Sequence, residues 1–452
     1  MDDPLIVSVS GLRGVMGSSL TADVAARYAA AFAAGLPAGP IVIGRDGRES
    51  GPLLAAAIAD VLRGLGRDVL DCGVAATPTV GIVVRDEHAA GGIQISASHN
   101  PAKYNGLKLF SGAGRVLPAA AGAAVKERFE ALASPPAAAG APGSLREVDG
   151  TAAHVRLVAA TVNVEAIRRH RPRVWLDSGH GAGSRVARPL LEHLGCEVII
   201  DGATPDGRFE HEPEPTAANL AGLLPKIAAA AAHVGFFQDP DADRLAIATA
   251  DGRYIGEECT LAIVVDHLLA LTPGPIVINC STSMMAAQIA ARHGVACEMA
   301  AVGEANVVDR MLAIGAVLGG EGNGGVIDPR VGLVRDSFSA MALVLDRMCA
   351  GESLTPLATL ADALPHLVMK KTKIDLTPDL RGPALAAAIA RIERAFPEAK
   401  ASRLDGLRLD WEGGWLLVRG SNTEPIVRIV AEAESEVTVD AAIARASAAL
   451  VS

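Results

Sequence analysis

The sequence predicts an α/β protein of four domains, in which three similar α/β units precede a different, α+β unit. Its length of 452 residues is enough for about three domains, or four small ones, at roughly 150 residues each. Segments typical of strands alternate with segments typical of helices as far as residue 365. From about residue 370 the pattern changes to a helix, two or three strands and a second helix, which is typical of an α+β unit.

The composition is that of a folded protein whose surface does not attract polyanions. Hydrophobic residues make up 50% of the chain and charged residues 20%, so each domain can bury a core. A formal net charge of -10 argues against a nucleic-acid or anionic-membrane surface, but it allows a local basic pocket for a small phosphorylated ligand. There is no signal-peptide pattern at the start and no apolar run of ~20 residues that could span a membrane. With six dispersed cysteines and no C-x-x-C spacing, these features predict a cytoplasmic protein with reduced thiols.

In the first unit, strands and helices follow one another with recognisable start signals. Residues 40–46 (PIVIGRD) predict a buried strand, and a helix follows with Ser50 as its cap. A second strand (RDVLDCG) leads to a helix in TPTVGIVVRDE, with Thr77 at the cap. The third strand covers residues 91–96, and a run of polar residues follows its C-terminal end, where open α/β sheets bind their ligands.

Changes of composition mark the boundaries between the units. A Pro/Gly/Ala-rich linker at residues 133–144 separates the first unit from the second, which starts at the strand RVWLD (173–177). The third unit starts after DGRYIGEE, contains the strand GPIVINCS and ends near Pro365. The domains are therefore expected at residues 1–140, 150–251, 252–366 and 370–452.

The polar run after the third strand is SASHNP, residues 96–101, with Lys108 ten residues beyond Ser98. A serine hydrolase is not indicated, because there is no G-x-S-x-G elbow and an adjacent serine and histidine rarely form a nucleophile–base pair. A phosphoryl acceptor fits better, since Ser98 would be an exposed hydroxyl on a turn, with His99 beside it and a lysine within reach for proton transfer. Taken alone, a polar turn with helix caps is an equally good interpretation.

The second motif is QDPDADR, in which Asp239, Asp241 and Asp243 stand at alternate positions after an apolar run. This spacing in an extended turn directs three carboxylates at one point, which suits a hard cation with oxygen ligands. An EF-hand is excluded, because the sixth loop position is Arg244 and the twelfth is Ala250. Carboxylates without a nearby histidine or cysteine favour Mg²⁺ over Zn²⁺. A solvated acidic turn is the weaker alternative, since crowded like charges destabilise a fold unless a cation is present.

Two further motifs are weaker when each is taken alone. LGGEGNGGVI offers Glu321 and Asn323 between glycines that let the backbone approach a ligand, but a glycine-rich hairpin is at least as good an interpretation. VRGSNTEPIVR is either a hairpin turn or a phosphate cradle, whose ligands would be Arg419, Ser421, Asn422, Thr423 and Arg428. In LDSGHGAGSRV, serine replaces the third glycine of G-x-G-x-x-G, so this segment predicts a tight turn and not a dinucleotide site.

The four motifs, in this order along one chain, resemble those of the α-D-phosphohexomutase family of phosphoglucomutases, phosphomannomutases and phosphoglucosamine mutases. The resemblance covers essentially the whole chain and includes SGLRG near its start and EPEPT at residues 212–216. It implies four domains around a central cleft, with the last domain as a phosphate-binding lid. It also implies a mutase that interconverts hexose 6-phosphate and hexose 1-phosphate through a phosphoserine and a 1,6-bisphosphate.

The resemblance further implies which residues carry out the phosphoryl transfer. Ser98 would carry the phosphoryl group, and the three aspartates of QDPDADR would hold one Mg²⁺ together with an oxygen of that phosphate. Arg13 would offset charge on the transferring group, and Arg244 would support the metal loop. A glucose or glucosamine 1,6-bisphosphate would serve as activator and intermediate.

The remaining motif residues would handle the proton and the small phosphosugar substrate. Lys108 would move the proton at the sugar hydroxyl, with His99 as its helper. Glu321 and Asn323 would hold sugar hydroxyls in either orientation. The loop that starts at Arg419 would hold the phosphate that is not reacting.

The segment GGEGNGG (319–325), which corresponds to the sugar loop of the family, favours one hexose. Many members have serine two residues after the glutamate, whereas this chain has Asn323, and EGNGG is most similar to phosphoglucosamine mutase-like members. Glu304, in AVGEAN, is a possible carboxylate for the C2 ammonium of glucosamine, although a surface glutamate at a helix start is the simpler interpretation. We therefore expect a phosphoglucosamine mutase, with phosphomannomutase/phosphoglucomutase as the alternative.

Two functions of other classes remain as alternatives. A Mg²⁺-dependent phosphatase would release inorganic phosphate from a phosphoserine without needing a bisphosphate. A catalytically silent phosphosugar-binding protein would be expected to have lost Ser98, Lys108 or an aspartate, and none of them is missing. The sequence gives no indication of the oligomeric state.

Overall fold

The computed structural model describes residues 4–138, 140–376, 380, 382–420 and 426–451. The described residues form four successive sheets, of seven, four, four and five strands. This arrangement confirms the predicted fold class, in which three α/β units precede an α+β unit. Within these ranges, no helix is both long enough and apolar enough to cross a lipid bilayer.

The first unit is built on the seven-stranded sheet. Its strands are β1 (Ile6–Ser8), β2 (Gly11–Val15), β3 (Ile41–Arg45), β4 (Val69–Val74), β5 (Gly91–Ile95), β6 (Tyr104–Ser111) and β7 (Leu145–Glu147). Its helices are α1 (Ala22–Ala33), α2 (Gly51–Gly64), α3 (Thr77–Asp86) and α4 (Ala119–Ala131). The strand order is β1-β2-β6-β5-β3-β4-β7. Strand β7 follows the proline-rich linker and pairs in parallel with β4, so this stretch of chain extends the first sheet.

The second and third units are each built on a four-stranded sheet. The second contains α5 (Thr151–Ala159), α6 (Val164–His170), β8 (Arg173–Asp177), α7 (Ser184–His193), β9 (Glu197–Asp201), α8 (Ala217–Leu220), α9 (Leu224–Ala229), β10 (Val234–Gln238) and β11 (Leu245–Thr249). The third contains α10 (Glu257–Leu271), β12 (Ile276–Asn279), α11 (Met284–Arg292), β13 (Cys297–Ala300), α12 (Glu304–Ile314), β14 (Leu318–Glu321), β15 (Gly325–Ile327), α13 (Ser337–Met348) and α14 (Leu357–Asp362).

The three α/β units share one arrangement of four strands. Three strands run parallel and a fourth is antiparallel, and the spatial order is β6-β5-β3-β4, β11-β10-β8-β9 and β15-β14-β12-β13. In each unit the third strand is joined to the antiparallel strand by a hairpin at its carboxyl end. These equivalent hairpins carry three of the four predicted site motifs, at residues 96–103, 239–244 and 322–324. The shared topology therefore places the motifs at the same edge of each sheet.

The fourth unit is an antiparallel sheet with two helices. It contains β16 (Val368–Asp375), α15 (Pro383–Ala395), β17 (Lys400–Ser402), β18 (Leu407–Trp411), β19 (Gly414–Gly420), β20 (Ile426–Ala433) and α16 (Glu436–Val451), in the order β16-β20-β19-β18-β17. The prediction of two or three strands was wrong, because β16 and β17 are strands as well. Strand β16 lies at a sheet edge and exposes Lys371 and Lys373, charges that discourage pairing with another chain and that also conceal the strand pattern in the sequence.

Helix α13 connects the second and third units. Almost its whole surface is buried, and it packs on α5, α6 and α7 of the second unit and on α10 of the third. One hydrophobic core therefore runs through both units. The N-terminus of this helix lies against the hairpin of residues 239–244, where the Ser337 hydroxyl donates to the carbonyl oxygen of Ala242.

Buried polar contacts attach the fourth unit to the third. Arg408 donates to the carbonyl oxygen of Cys280, and its guanidinium lies 4.0 Å from the centre of the Trp415 ring. Glu432 accepts hydrogen bonds from the backbone N of Met284 (2.7 Å) and from the indole of Trp415 (2.8 Å). These contacts place the fourth unit beside the turn after β12.

Glu258, at the start of α10, is an ionisable group at this junction. One of its oxygens accepts from the backbone N of Ser283 (2.9 Å), and the other lies 3.6 Å from the ammonium of Lys371. Burial raises the pKa of Glu258 from 4.5 to about 8, although Lys371 opposes the shift. The folded protein therefore keeps a proton that the unfolded chain has lost. The stability contribution is fully present below pH 4.5 and is lost as the pH rises through about 8.

We expect Glu258→Gln to gain stability over the wild type as the pH rises, because its amide cannot ionise. Thermal midpoints measured by scanning fluorimetry should differ by a few degrees more at pH 8 than at pH 4.5. Glu436→Gln, an exposed carboxylate on α16, is the control and should show no such trend. A difference between Glu258→Gln and wild type that stays constant across this range would contradict the assignment.

Candidate active site

The hairpins of the three α/β units and the sheet of the fourth unit line one cleft with a volume of about 600 Å³. Its walls include many of the predicted site residues: Arg13, Ser98, His99, Lys108, Arg244, Glu321, Asn323, Arg419 and Arg428. The three aspartates of the metal loop lie fully buried behind this wall. Ser421, Asn422 and Thr423 lie outside the described residues.

Ser98 sits in a constrained turn with its hydroxyl directed at the metal loop. Its φ of 49° lies in the left-handed region, which is uncommon for a residue with a side chain. Its backbone N donates to Ser96 Oγ (2.8 Å), and the Ser96 hydroxyl in turn donates to Asp46 (2.7 Å). Ser98 Oγ donates to Asp239 Oδ2 at 2.6 Å. The turn therefore brings a hydroxyl of the first unit into contact with a carboxylate of the second.

His99 is a neutral imidazole beside this hydroxyl. Its Nδ1 lies 3.4 Å from Ser98 Oγ. Burial, followed by the charges of Arg244 and Arg13, lowers the pKa of His99 to about 2. At physiological pH the ring therefore carries no charge and acts as a hydrogen-bond partner and not as a charged acid.

The three aspartates of the metal loop converge between β10 and β11. One oxygen from each lies within 4.8 Å of the others, which within the described part of the chain is the one group of acidic, histidine or cysteine side chains so placed. Asp239 Oδ1 accepts from the backbone N of Asp243 and of Arg244, both at 3.1 Å, and so fixes the turn. The Oδ1 atoms of Asp241 and Asp243 are buried without a hydrogen-bond partner. Converging orphaned carboxylate oxygens fit a hard cation such as Mg²⁺.

Positive charge from the other units balances this cluster. Lys108, on β6, places its Nζ 2.6 Å from Asp241 Oδ2 and 2.6 Å from Asp243 Oδ2. Burial and the two neighbouring carboxylates raise the pKa of Asp239. Burial pushes the pKa of Asp241 upward, but Lys108, together with hydrogen bonds to Thr77 and Asp239, holds that pKa below its ordinary value. Arg244 lies 3.7 Å from Asp243 and adds charge at the cleft face.

Two predicted cap residues bond to distant segments of the chain instead. Helix α3 starts at Thr77 itself, with Ala76 in the cap position, and the Thr77 hydroxyl donates to Asp241. Ser50 occupies the cap position of α2 but makes no capping bond, because its hydroxyl accepts from Asn105 Nδ2 (2.9 Å). Polar side chains that the sequence assigns to local capping are thus used for contacts between distant segments.

Glu321 ends β14 with its carboxylate held on the cleft wall. Its Oε1 accepts from Asn279 Nδ2 (2.7 Å) and from the backbone N of Gly303 (3.1 Å). Its Oε2 accepts from Arg335 Nη1 at 2.8 Å. Asn323 lies at the tip of the same hairpin and also lines the cleft. The motif is therefore both a glycine-rich hairpin and a set of polar groups facing the cleft.

Glu304 is part of this wall, so its interpretation as a surface glutamate was wrong. It starts α12, is buried and lines the cleft. Its Oε1 accepts from the backbone N of Arg335 (2.7 Å), and its Oε2 lies 3.4 Å from Arg335 Nε. A second carboxylate therefore stands beside Glu321 at the sugar-loop end of the cleft.

Cations of the fourth unit also line the cleft. Arg419 on β19 and Arg428 on β20 are cross-strand partners, and Lys373 on β16 is the next partner in the row. Arg419 Nη2 lies 3.2 Å from Asp405. Because directly opposed like charges destabilise a sheet, such a row is suited to an anion.

Four domain families match successive parts of the chain, and all four are described as phosphoglucomutase/phosphomannomutase. The alpha/beta/alpha domains I, II and III match residues 5–135, 152–252 and 257–368, and the C-terminal domain matches residues 380–448. The chain belongs to the phosphoglucomutase/phosphomannomutase family. This membership confirms the family and the enzyme class expected from the motifs, a phosphosugar mutase that is an isomerase working by phosphoryl transfer.

Relatives of this phosphohexomutase cover it from end to end. A phosphoglucomutase/phosphomannomutase from Thermococcus kodakarensis is 35% identical over 433 residues, which are 94% of each chain. A probable phosphoglucosamine mutase from Methanopyrus kandleri is 31% identical over 429 residues, 94% of this chain and 93% of its own. A solved structure of a phosphoglucomutase/phosphomannomutase family protein from Burkholderia thailandensis has a TM-score of 0.84 and 27% identity and covers 98% of each chain.

Arg48 is a residue of this phosphohexomutase that the sequence analysis missed. It is buried beneath residues 98–104, which we call the serine loop. Its Nη groups donate to four carbonyl oxygens of this loop at 2.6–2.9 Å, those of Ser98, Asn100, Pro101 and Tyr104. Its Nε donates to Asp46, which also accepts from Ser96. The available signal was its place two residues after the strand PIVIGRD, at the same sheet edge as the other motifs.

We expect Arg48→Lys to lower kcat/KM by about 10²-fold, since an ammonium cannot bind four separated carbonyls and a 1 Å misplacement has effects of this size. Steady-state kinetics measures the loss, and hydrogen exchange should show faster opening of residues 98–104. Arg63→Lys is the control, because Arg63 donates to the carbonyl of Gly143 in the same unit but away from the cleft. Wild-type kinetics in Arg48→Lys would show that the loop does not depend on it.

Proposed function

We propose that the protein interconverts hexose 6-phosphate and hexose 1-phosphate through a phosphoserine at Ser98. The observation that carries this proposal is the 2.6 Å hydrogen bond from Ser98 Oγ to Asp239, in a cluster that also contains Lys108. Phosphoryl transfer depends chiefly on positioning and on positive charge around the transferring oxygens, and this cluster supplies both. The site matches that chemistry better than acyl transfer, because His99 is neighbour to Ser98 in the chain and not an opposed base.

One Mg²⁺ is the cation that the metal loop suits. Asp239, Asp241 and Asp243 would hold it, and it would stabilise the charge of the transferring phosphoryl group. The buried orphan oxygens of Asp241 and Asp243 support this assignment. Arg244 and Arg13 face the cleft beside the loop and would add positive charge from the protein.

Lys108 is the proposed proton carrier. When the bond from phosphorus to Ser98 Oγ breaks and a bond from phosphorus to the sugar oxygen forms, Lys108 gives a proton to Ser98 Oγ. It then takes the proton of the sugar hydroxyl, so that the lysine is unchanged at the end of the step. His99, neutral at 3.4 Å from Ser98 Oγ, supports the serine by hydrogen bonding.

Other walls of the cleft would hold the rest of the substrate. Glu321 and Asn323 bind sugar hydroxyls, while Arg419 and Arg428, together with Ser421, Asn422 and Thr423, bind the phosphate that is not reacting. The product of the first transfer is a glucose or glucosamine 1,6-bisphosphate, which turns round and returns its other phosphate to Ser98. The fourth unit then acts as a lid over the bound phosphate.

Glucosamine phosphate is the proposed substrate. The burial of Glu304 beside Glu321 supports it, since two carboxylates at the sugar end of the cleft favour the C2 ammonium of glucosamine. Mannose and glucose phosphates are the second candidates, because relatives of comparable identity bear the names phosphoglucomutase/phosphomannomutase and probable phosphoglucosamine mutase.

The phosphoserine and its cation are tested together. Ser98→Ala should fold normally, carry no phosphate by mass spectrometry and lose turnover, because the acceptor oxygen is gone. Chelation of the wild type with EDTA should abolish turnover, and Mg²⁺ should restore it, since without the cation the three carboxylates repel the phosphate more strongly. Near-normal turnover by Ser98→Ala would refute the phosphoserine mechanism. Steady release of inorganic phosphate without isomerisation would instead identify a phosphatase.

The sugar is tested by kcat/KM for glucosamine, glucose and mannose phosphates on the same primed enzyme. Glucosamine phosphate should be preferred, with cross-activity toward the others, since a lightly read position discriminates by about 1–3 kcal/mol. Glu304→Gln should reduce the preference for glucosamine more than it reduces turnover of glucose phosphate. A mannose or glucose phosphate that wins by tenfold or more would refute the sugar assignment while leaving the mutase chemistry intact.

A further inference from the structure

Three consecutive residues at the start of α13 contact the second and third units directly and reach the first unit through His154. Arg335, Asp336 and Ser337 follow the sugar-loop hairpin and precede a helix that is buried along almost its whole length. Each side chain has different partners, and each partner set includes residues of another unit. The tripeptide is therefore a point at which the relative positions of the metal-loop and sugar-loop hairpins can be fixed.

Arg335 bridges the metal loop and the sugar loop. Its Nη2 donates to Asp243 Oδ2 (2.6 Å) and its Nη1 donates to Glu321 Oε2 (2.8 Å). Its backbone N donates to Glu304 Oε1 (2.7 Å). A guanidinium is planar and rigid, so its two Nη groups hold the two carboxylates at a set separation, which a lysine ammonium cannot do.

Asp336 anchors the backbone next to Arg335. It caps α13 by accepting from the backbone N of Phe338 (2.8 Å), and its Oδ2 lies 3.0 Å from Nε2 of the fully buried His154. The Nδ1 of His154 lies 2.9 Å from the hydroxyl of Thr79. An ionised carboxylate can only accept, so His154 donates from Nε2 to Asp336. The series Thr79–His154–Asp336 thereby joins the first, second and third units.

Ser337 fixes the backbone of the metal loop. Its hydroxyl donates to the carbonyl of Ala242 (2.7 Å) and accepts from Gln238 Nε2 (2.7 Å). Ala242 has a φ of 56°, in the left-handed region, and stands between two of the metal-loop aspartates. The residue that follows Asp336 therefore holds the loop at its most constrained point.

We propose that Arg335 is a positioning residue that sets the distance between the metal loop and the sugar-binding carboxylate Glu321. The inference rests on the proposed mutase function. Arg335 acts through Asp243 and Glu321, to which both of its Nη groups are committed. Asp336 and Ser337 hold it in register with the metal loop. The phosphoryl group held by one loop and the sugar held by the other then meet at reacting distance.

A double-mutant cycle tests this coupling. Arg335→Lys keeps the charge but loses the fork, and we expect kcat/KM to fall by about 10²-fold, the size associated with a 1 Å misplacement. Glu321→Gln should cause a loss of its own. If Arg335 works through Glu321, the double variant should be no worse than the poorer single variant. Losses that multiply would show that the two residues act independently and would overturn the proposal.

A binding measurement separates positioning from turnover. In a Ser98→Ala background, calorimetry with glucosamine 1-phosphate should show weaker binding for Arg335→Lys, because Glu321 is no longer held. Arg330→Gln is the matched control, since Arg330 lies in the same loop, is partly exposed and pairs with Asp328. It should bind and turn over as its parent does. Unchanged binding in Arg335→Lys would overturn the proposal.

A second variant guards against misfolding of the first. Ser337→Ala removes the bond to Ala242 and leaves Arg335 in place, and its smaller loss of kcat/KM should also fail to add to that of Glu321→Gln. An Arg335→Lys protein that does not fold, together with wild-type kinetics for Ser337→Ala, would overturn the proposal. Absence of mutase turnover in the wild type would instead refute the proposed function, and the calorimetric comparison would still report on Arg335.

Discussion

The burial of three like charges is the constraint on which the rest of the structure depends. Asp239, Asp241 and Asp243 are 0% exposed, and a buried carboxylate is tolerated only when it is paired and hydrogen-bonded. Their own unit supplies only part of the compensation. The ammonium of Lys108 comes from the first unit and the guanidinium of Arg335 from the third, so the charge balance of one loop requires the presence of two other domains. The same contacts therefore join the domains and balance the charge of the active site.

Repetition of one topology explains why these loops meet. Each α/β unit places a hairpin at the carboxyl end of its third strand, and each hairpin carries a different chemistry: a hydroxyl, three carboxylates, or a carboxylate with an amide. Three equivalent hairpins turned toward one cleft give three kinds of polar group without any change of fold. The fourth unit has a different sheet and supplies what the hairpins lack, a row of cations on neighbouring strands.

The sequence predicted those features of the fold and the site that are encoded by short segments. Strands followed by polar turns predicted the fold class and three of the polar motifs that meet at the cleft, because strand periodicity and turn chemistry are properties of short segments. The sequence did not reveal the site roles of Arg48, Thr77 and Arg335, because each has a partner far away in the chain. The separations are 50 residues for Arg48–Ser98, 164 for Thr77–Asp241 and 92 for Arg335–Asp243. From the local sequence alone, a threonine before a proline is expected to cap a helix, and a glutamate at a helix start is expected on the surface. In the folded protein the threonine instead bonds to the metal loop and the glutamate is buried, because contacts between distant segments decide both positions.

The distribution of charge along the cleft constrains how a bisphosphorylated sugar can react. Ser98 stands beside three aspartates whose charge is offset by Lys108 and Arg335, whereas Arg419 and Arg428 form a separate row of cations on the fourth unit. Two unit charges 4 Å apart interact with about 4 kcal/mol at an effective dielectric constant of 20, so a cation bound between the aspartates would shift this balance strongly in favour of an anion. At the fourth unit a phosphate would meet cations whether or not a metal ion is bound. The two places are chemically different, and only the first contains Ser98. In the proposed mutase reaction each phosphate would come to Ser98 in turn, so the bisphosphate would have to reverse its orientation in the cleft.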